Sequence, residues 1–251
     1  MVRTFLVRGM LVGIVAGLLS FGFLKVYGEP QVDSAIAFES QMDEAKAEAE
    51  KAKGMAMPAE EPELVSRPVQ AGLGLFVAVM VYSAAFGGLF GLAFAFAQGR
   101  MPGDFSPQAL AAVLAMVGFI ALYLVPNLKY PANPPSIGNP ETIGMRTALY
   151  FGMIGISLAA MVGAINFKRM LAARYGQWNA TLMVAAYYIV VVIAAGLLLP
   201  AVNEVPERFP AVVLWNFRVA SLGAQLILWA TLGLLFGALT QRAYASGRLR
   251  A

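Results

Sequence analysis

The stretch PVQAGLGLFVAVMVYSAAFGGLFGLAFAFAQG, residues 68–99, runs without a single Asp, Glu, Lys or Arg. A helix needs about 20 consecutive apolar residues to cross the hydrocarbon core of a bilayer, and this run exceeds that length. Its apolar residues are continuous rather than alternating, which is typical of a transmembrane helix and not of a barrel strand. The stretch therefore predicts a membrane-spanning helix.

Further uncharged runs lie at residues 9–24, 105–128, 147–167, 175–203 and 219–241. The run at 9–24 is short, but basic residues at its two ends can snorkel to the interfaces, and no cleavage pattern of small residues follows it. We interpret it as a retained anchor. With 59% hydrophobic and 13% charged residues, the chain is predicted to be a single membrane domain over residues 1–251. Its fold class is all-α, a polytopic bundle of six transmembrane helices.

Cysteine and histidine are both absent from the chain. Their absence excludes disulfides, thiolate metal sites, His-ligated haem and the usual zinc sites, and it removes the commonest general base. We therefore predict no resident cofactor and no enzymatic activity.

The basic residues lie at the ends of the spans and divide between the two membrane surfaces. One surface carries nine Lys and Arg with the single acid Asp104, and the other carries nine with the remaining thirteen acids. If the long first loop is discounted, the positive-inside rule predicts that the first surface faces the cytoplasm. The chain would then lie in the inner membrane with both termini in the cytoplasm. Because basic residues at span ends meet anionic headgroups, the net charge of +4 does not indicate nucleic-acid binding.

The loop at residues 28–70 holds most of the acids and forms an extracytoplasmic insertion between the first two spans. Apolar residues at three- and four-residue spacing predict a short helix that Asp33 or Ser34 caps and Gly54 ends, with an irregular return at residues 58–62. Two interpretations stay open: a solvated structural helix, or an arm whose carboxylates gather metal ions.

A second loop on the same side, NLKYPANPPSIGNPETIGMR at residues 127–146, is rich in proline, glycine and asparagine. Proline fixes φ and removes amide donors, and asparagine bonds its own backbone, so the loop predicts a rigid cap. Thr142 or Glu141 is expected to open the next helix. The residues assigned to this structural cap are Pro131, Asn133, Pro134, Pro135 and Asn139.

Two polar stripes enter the membrane from this surface, one in the fourth span and one in the sixth. Their members recur at three- and four-residue spacing, so each stripe shares one helical face that should point away from lipid. The faces are either interhelical contacts or the lining of a translocation path. The stripes are Arg146, Tyr150 and Ser157 with Met153, and Arg218, Ser221 and Gln225 with Trp229.

Pairs of glycines four residues apart recur in several spans. This spacing lets helix backbones approach closely, either within the chain or between copies in a homo-oligomer. The pairs lie among Gly9, Gly13 and Gly17, at Gly87 and Gly91, and at Gly233 and Gly237.

Three segments resemble the signature stretches of the CbtA family: LYLVPNLKYPANPP at 122–135, GNPETIG at 138–144, and NFRVASLGAQLILWATLGLLFGAL at 216–239. The similarity continues in GEPQVDSAIAFES at 28–40 and in QWNATL at 177–182, so it spans nearly the whole chain. The family is described as a probable cobalt transporter subunit and is associated with cobalamin metabolism.

The resemblance implies an integral membrane subunit of a cobalt uptake system, with a small single-span partner, CbtB, whose histidines meet the metal. On that basis Glu29, Asp33, Glu39 and Glu141 are candidates for attracting cations at the outer surface. Relatives often carry a histidine where this chain has Asn139, and the family is often described with five spans rather than six. The alternative is a non-transporting scaffold or accessory subunit of a larger membrane complex.

No Asp, Glu, Lys or Arg lies deep inside any predicted span. A cobalt ion crossing here would meet neutral donors, such as the hydroxyls of Tyr82, Tyr123 and Tyr150, which are weak ligands for this ion. The sequence thus favours a membrane subunit over a complete transporter.

Overall fold

The computed structural model describes residues 1–53, 65–101 and 105–247. Within these ranges every regular element is a helix, and five helices are long and apolar enough to cross a membrane. The prediction of an all-α membrane bundle is confirmed. The helices are α1 (Val2–Ala52), α2 (Arg67–Ala97), α3 (Pro107–Lys129), α4 (Pro140–Leu198) and α5 (Ala211–Ala245).

The predicted count of six is one more than these five, because the fourth and fifth predicted spans both lie within α4, which joins two helices across a kink. The basic residues between those spans end an apolar run, but Lys and Arg are good helix formers and do not end the helix. The chain reverses at Gly176, whose φ of 77° and ψ of 164° suit glycine. The two halves lie side by side, since Ser157 and Tyr188 share a hydrogen bond of 2.8 Å. We call residues 143–198 the α4 hairpin.

Four of these helices contain a widened, π-helical turn, and two of the turns end two residues before a proline. Leu24–Gly28 precedes Pro30 in α1, and Ile120–Leu124 precedes Pro126 in α3. Proline lacks an amide hydrogen and its ring crowds the carbonyl four residues back. The widened turn lets the helix continue through the proline.

Because of that continuity, α1 runs out of its apolar segment into an outer arm, Glu29–Ala52. The prediction of a separate helix capped by Asp33 or Ser34 is therefore wrong. The Ser34 hydroxyl instead donates to the carbonyl of Pro30 within the helix, at 2.7 Å. The predicted helix end at Gly54 and the return at residues 58–62 lie outside the described residues.

Close contact between α1 and α2 forms the centre of the bundle. Gly9, Gly87 and Gly91 meet here, and a methyl group on any of them would overlap backbone atoms of the facing helix. The glycine spacing read from the sequence thus serves contact within the chain, as one of its two interpretations expected.

Aromatic rings and further glycines join the other helices to this contact. The ring of Phe94 lies 5.2 Å from that of Phe5 and 5.1 Å from that of Phe236. On α5, Gly233 and Gly237 pack against alanines of α3. Helices α1, α2, α3 and α5 therefore form one closely packed unit, which we call the core.

The α4 hairpin has an apolar cluster of its own, in which Met153, Val184 and Tyr188 are buried. It joins the core through the second half of α3, because Val125 belongs to the same cluster. Its other face is open, with Leu197 81% exposed in the protein alone. In a bilayer such a face meets the acyl chains.

The proline-rich cap closes the side of the bundle that carries the outer arm. The amide oxygen of Asn127 accepts from the backbone amide of Ala132 at 3.1 Å. Ile137 at the centre of the cap is buried together with Ala35 of the arm and Phe209 of the loop before α5. The cap, the arm and that loop are thus packed on one another.

Candidate functional site

A cavity of about 390 Å³ lies beneath the cap, where the core meets the α4 hairpin. We call it the outer vestibule. The end of α3, the start of α4, the loop at residues 199–210 and the start of α5 form its walls. Its lining residues are Tyr130, Pro131, Asn133, Ile137, Ile143, Arg146, Thr147, Tyr150, Phe151, Val202, Asn203, Glu204, Val205 and Arg218.

Five of the residues singled out from the sequence share this lining, although they are distant along the chain. Pro131 and Asn133 belong to the predicted cap, Arg146 and Tyr150 to the stripe of the fourth span, and Arg218 to the stripe of the sixth. The vestibule is therefore the place where the cap and both stripes meet.

Glu204 is the one carboxylate in the lining, and its oxygens already have partners. They accept from the backbone amide of Asn139 at 2.7 Å and from the hydroxyl of Thr142 at 2.5 Å, and lie 3.4 Å from Nε of Arg146. The Thr142 hydroxyl, the Asn139 amide and the charge of Arg146 hold the pKa of Glu204 below its ordinary value. The carboxylate fixes the start of α4 to the loop before α5.

On the opposite wall, Arg218 joins the start of α5 to the cap. Its guanidinium donates to the side-chain oxygen of Asn133 at 2.9 Å and to the carbonyl of Ala132 at 3.3 Å. Both acceptors are neutral, and no carboxylate of the described residues lies within ion-pair distance of Arg218. With two arginines and one glutamate, the lining carries one positive charge in excess.

Below the vestibule, α5 presents a polar column to α2 and α3. Ser221 shares a hydrogen bond of 2.8 Å with the hydroxyl of Tyr123, and the amide of Gln225 donates to the hydroxyl of Tyr82 at 3.3 Å. At the lower end, the buried indole N–H of Trp229 has no partner in the part of the chain that the structure describes. At 1.5 Å per residue the column from Arg218 to Trp229 is about 16 Å long, roughly half the hydrocarbon thickness.

The stripe of α4 separates from this column below the vestibule. Ser157 is fully buried and bonds Tyr188 in the other half of the hairpin, and Met153 lies in the same cluster. The lower half of that stripe therefore holds the hairpin together, while Tyr150 above it faces the vestibule.

The start of α4 agrees in part with the prediction that Thr142 or Glu141 opens the helix. Thr142 is the N-cap residue of the α-helical part, Ile143–Leu198, and a 3₁₀ turn, Pro140–Thr142, precedes it. The side-chain oxygen of Asn139 accepts from the backbone amide of Glu141 at 2.9 Å, so Asn139 caps the first turn. The Thr142 hydroxyl is directed to Glu204 instead. Of the remaining cap residues, Pro134 is buried and Pro135 is exposed.

The carboxylates expected to attract cations lie outside the vestibule lining. Glu29 forms an ion pair with Arg67, and Asp33 lies 2.8 Å from the same guanidinium. Glu39 and Glu141 are exposed. No group of three His, Cys, Asp or Glu suited to a metal occurs in residues 1–53, 65–101 and 105–247. A cation-attracting role for these four residues stays a prediction.

Glu204 was not among the residues that sequence reasoning singled out. Its position in the sequence could have identified it: the acid follows the proline that ends an apolar run and precedes Arg218 by fourteen positions. Its pairing with the start of α4 is not visible along the chain, because the two segments meet only when the hairpin has folded.

These observations define a class: a polytopic α-helical membrane protein whose outer vestibule leads to a column of neutral polar side chains. A family model described as "Probable cobalt transporter subunit (CbtA)" matches residues 2–241. Since the match covers nearly the whole chain, the protein belongs to the CbtA family, as the sequence resemblance indicated. No curated protein and no solved structure matches the chain.

Proposed function

We propose that this chain is the integral membrane subunit of a cobalt uptake system that supplies cobalamin metabolism, and that it is not an enzyme. The observation that carries the proposal is the outer vestibule, which leads to the polar column of α5 in a member of this family. A cation entering there meets the hydroxyl oxygens of Tyr150, Tyr123 and Ser221 in turn.

The lining of the vestibule also supports the need for a partner. Cobalt prefers imidazole and carboxylate ligands, whereas Glu204 is already bonded and the two arginines leave a positive excess. We propose that a small single-span subunit of the CbtB type brings histidines to the vestibule. Coordination by the partner would offset the repulsion of the arginines.

We further propose an inner-membrane location with both termini in the cytoplasm. Arg169 of the α4 hairpin donates to the carbonyl of Arg100 at the end of α2, and Gln98 beside it contacts Tyr244 of α5. These contacts support placing the basic ends of α2, α4 and α5 on one surface, opposite the acidic outer arm. The positive-inside rule then makes the basic surface cytoplasmic.

Uptake of cobalt-57 tests the proposal, in cells that lack other cobalt importers and express the chain with and without the partner. Gln225→Leu removes an oxygen and a donor from the column, and Gln177→Leu at the exposed turn of α4 is the matched control. We expect uptake only with the partner, and about a tenfold loss in Gln225→Leu, the effect of about 1.4 kcal/mol on a rate.

A scaffold is the second candidate, and one observation favours it: Ser221 and Gln225 are bonded to tyrosines, as in ordinary interhelical contacts. If Gln225→Leu and Arg218→Ala both retain full uptake at unchanged protein levels, the column serves packing. If cells that express the wild-type chain take up no cobalt-57 either with or without the partner, the chain is a scaffold.

A further inference from the structure

We propose that a second cavity, at the surface opposite the cap, binds the phosphate of an anionic phospholipid. This cavity of about 830 Å³ lies between the start of α1 and the end of α5. Three arginines line it, Arg3, Arg8 and Arg242, and Thr4 and Ser246 add hydroxyls. The inference is independent of the transport function.

The arginines of this cavity lack acidic partners. The lining contains no Asp or Glu, and none of the ion pairs found in the described residues includes Arg3, Arg8 or Arg242. Guanidinium groups that share one cavity repel each other, and an oxyanion that accepts from more than one of them relieves the repulsion. Arginine is suited to this task, because its planar fork of donors matches a phosphate.

One of the three guanidiniums is held in place before any ligand binds. Arg8 donates to the hydroxyl of Thr240 at 3.0 Å, and Thr240 is itself fully buried in α5. This bond uses one of the five N–H donors of the guanidinium and leaves the others for a ligand. Arg3 and Arg242 at the rim are exposed, so they can close on an anion from solvent or from the membrane surface.

The apolar part of the lining favours a lipid over a free anion. Val7, Leu11 and Leu239 continue the cavity from the arginines toward the middle of the membrane, and each is at least 39% exposed. An acyl chain placed along them would cover this surface while its headgroup meets the arginines. Basic pockets between transmembrane helices at a membrane surface bind anionic headgroups in this way.

Lipid retention by the purified full chain tests the proposal. Native mass spectrometry in a neutral detergent would follow binding of phosphatidylglycerol, with phosphatidylcholine and inorganic phosphate as the comparison ligands. The double variant Arg3→Gln, Arg242→Gln alters only exposed side chains, and Arg100→Gln, Arg174→Gln is a matched control on the same surface, outside the lining.

We expect wild type and control to bind phosphatidylglycerol about thirtyfold more tightly than the double variant, since each arginine near a membrane surface strengthens anion binding about fivefold. Arg8→Gln should weaken binding further at unchanged helix content. Equal binding of phosphatidylglycerol by both double variants would overturn the proposal. Phosphatidylcholine binding as strong as phosphatidylglycerol binding, or stabilisation by inorganic phosphate without lipid binding, would do so as well.

Discussion

The core and the α4 hairpin use glycine in opposite ways. In the core, Gly9 and Gly87 bring two helix backbones into direct contact, and neither has room for a methyl group. In the hairpin, Gly152 and Gly155 have open space among the described residues where a methyl group would stand. The hairpin is instead held by side chains, among them the bond between Ser157 and Tyr188.

This difference explains where the vestibule lies. Within the core, the ring contact between Phe94 and Phe236 and the packing of Gly233 and Gly237 on α3 fix the position of α5 and with it the polar column. The hairpin joins the core through the second half of α3 and through the Glu204 contacts at the cap. Regions with fewer buried contacts open at lower free energy, so the border between core and hairpin is the natural place for an entrance.

The largest change in stability should come from a methyl group added to the core, compared with a methyl group added to the hairpin. Gly87→Ala would place a methyl group against the backbone of Gly9, where no side chain can move aside, and we expect a loss of about 3 kcal/mol in the free energy of unfolding. Gly152→Ala in the hairpin should gain about 0.5–1 kcal/mol, because alanine favours the helix more than glycine does. Reversible unfolding in detergent micelles measures both.

The control for this pair is Gly155→Ala, which should behave like Gly152→Ala. Similar losses for Gly87→Ala and Gly152→Ala would mean that the two regions do not differ in packing as described.

A smaller change in stability, combined with a change in uptake, should distinguish the function of the column from that of the hairpin. Tyr123→Phe and Tyr188→Phe each remove one phenolic hydroxyl that bonds a serine, one in the column and one in the hairpin. Both should cost about 0.6 kcal/mol of stability, the average for such bonds in membranes. Under the proposed function, only Tyr123→Phe should slow cobalt-57 uptake, by about threefold. Slower uptake in Tyr188→Phe alone would move the path into the hairpin.

The smallest effect concerns the contact that ties the hairpin to the loop before α5. Since the pKa of Glu204 is lowered by folding, its contribution to stability is present above its ordinary pKa of 4.5 and is lost as pH falls through the lower folded-state value. Glu204→Gln should therefore flatten the acid limb of the stability profile. Thermal unfolding from about pH 3 to about pH 7, an interval that spans the ordinary pKa values of carboxylates, measures the change. Glu207→Gln, exposed in the same loop, should leave the limb as in wild type.

Much of the core follows from local patterns that a sequence displays. Uncharged runs locate the apolar helices, and glycines four residues apart locate their closest contacts, as at Gly87 and Gly91. The spacing from Arg218 to Gln225 also identifies the face of α5 that meets polar partners. These features depend on residues within one helix.

The remaining features depend on which helices meet. The spacing of Tyr150 and Ser157 places them on one face, but folding at Gly176 brings Tyr188 to Ser157 and leaves Tyr150 at the vestibule. Charges mark where lipid ends rather than where a helix ends, so α1 was expected to stop before its outer arm. In α4 the helix likewise continues past its basic residues, and the chain reverses only at Gly176. The partners of Glu204 likewise exist only after the cap has folded.

Thiol accessibility tests most directly whether water enters the vestibule and stops above the hairpin cluster. The chain contains no cysteine, so single variants Tyr150→Cys and Ser157→Cys can be compared without background, using a membrane-impermeant maleimide added from the side of the cap. The account predicts rapid labelling at position 150 and none at position 157 in the folded protein. Labelling at neither position, or equally at both, would contradict it.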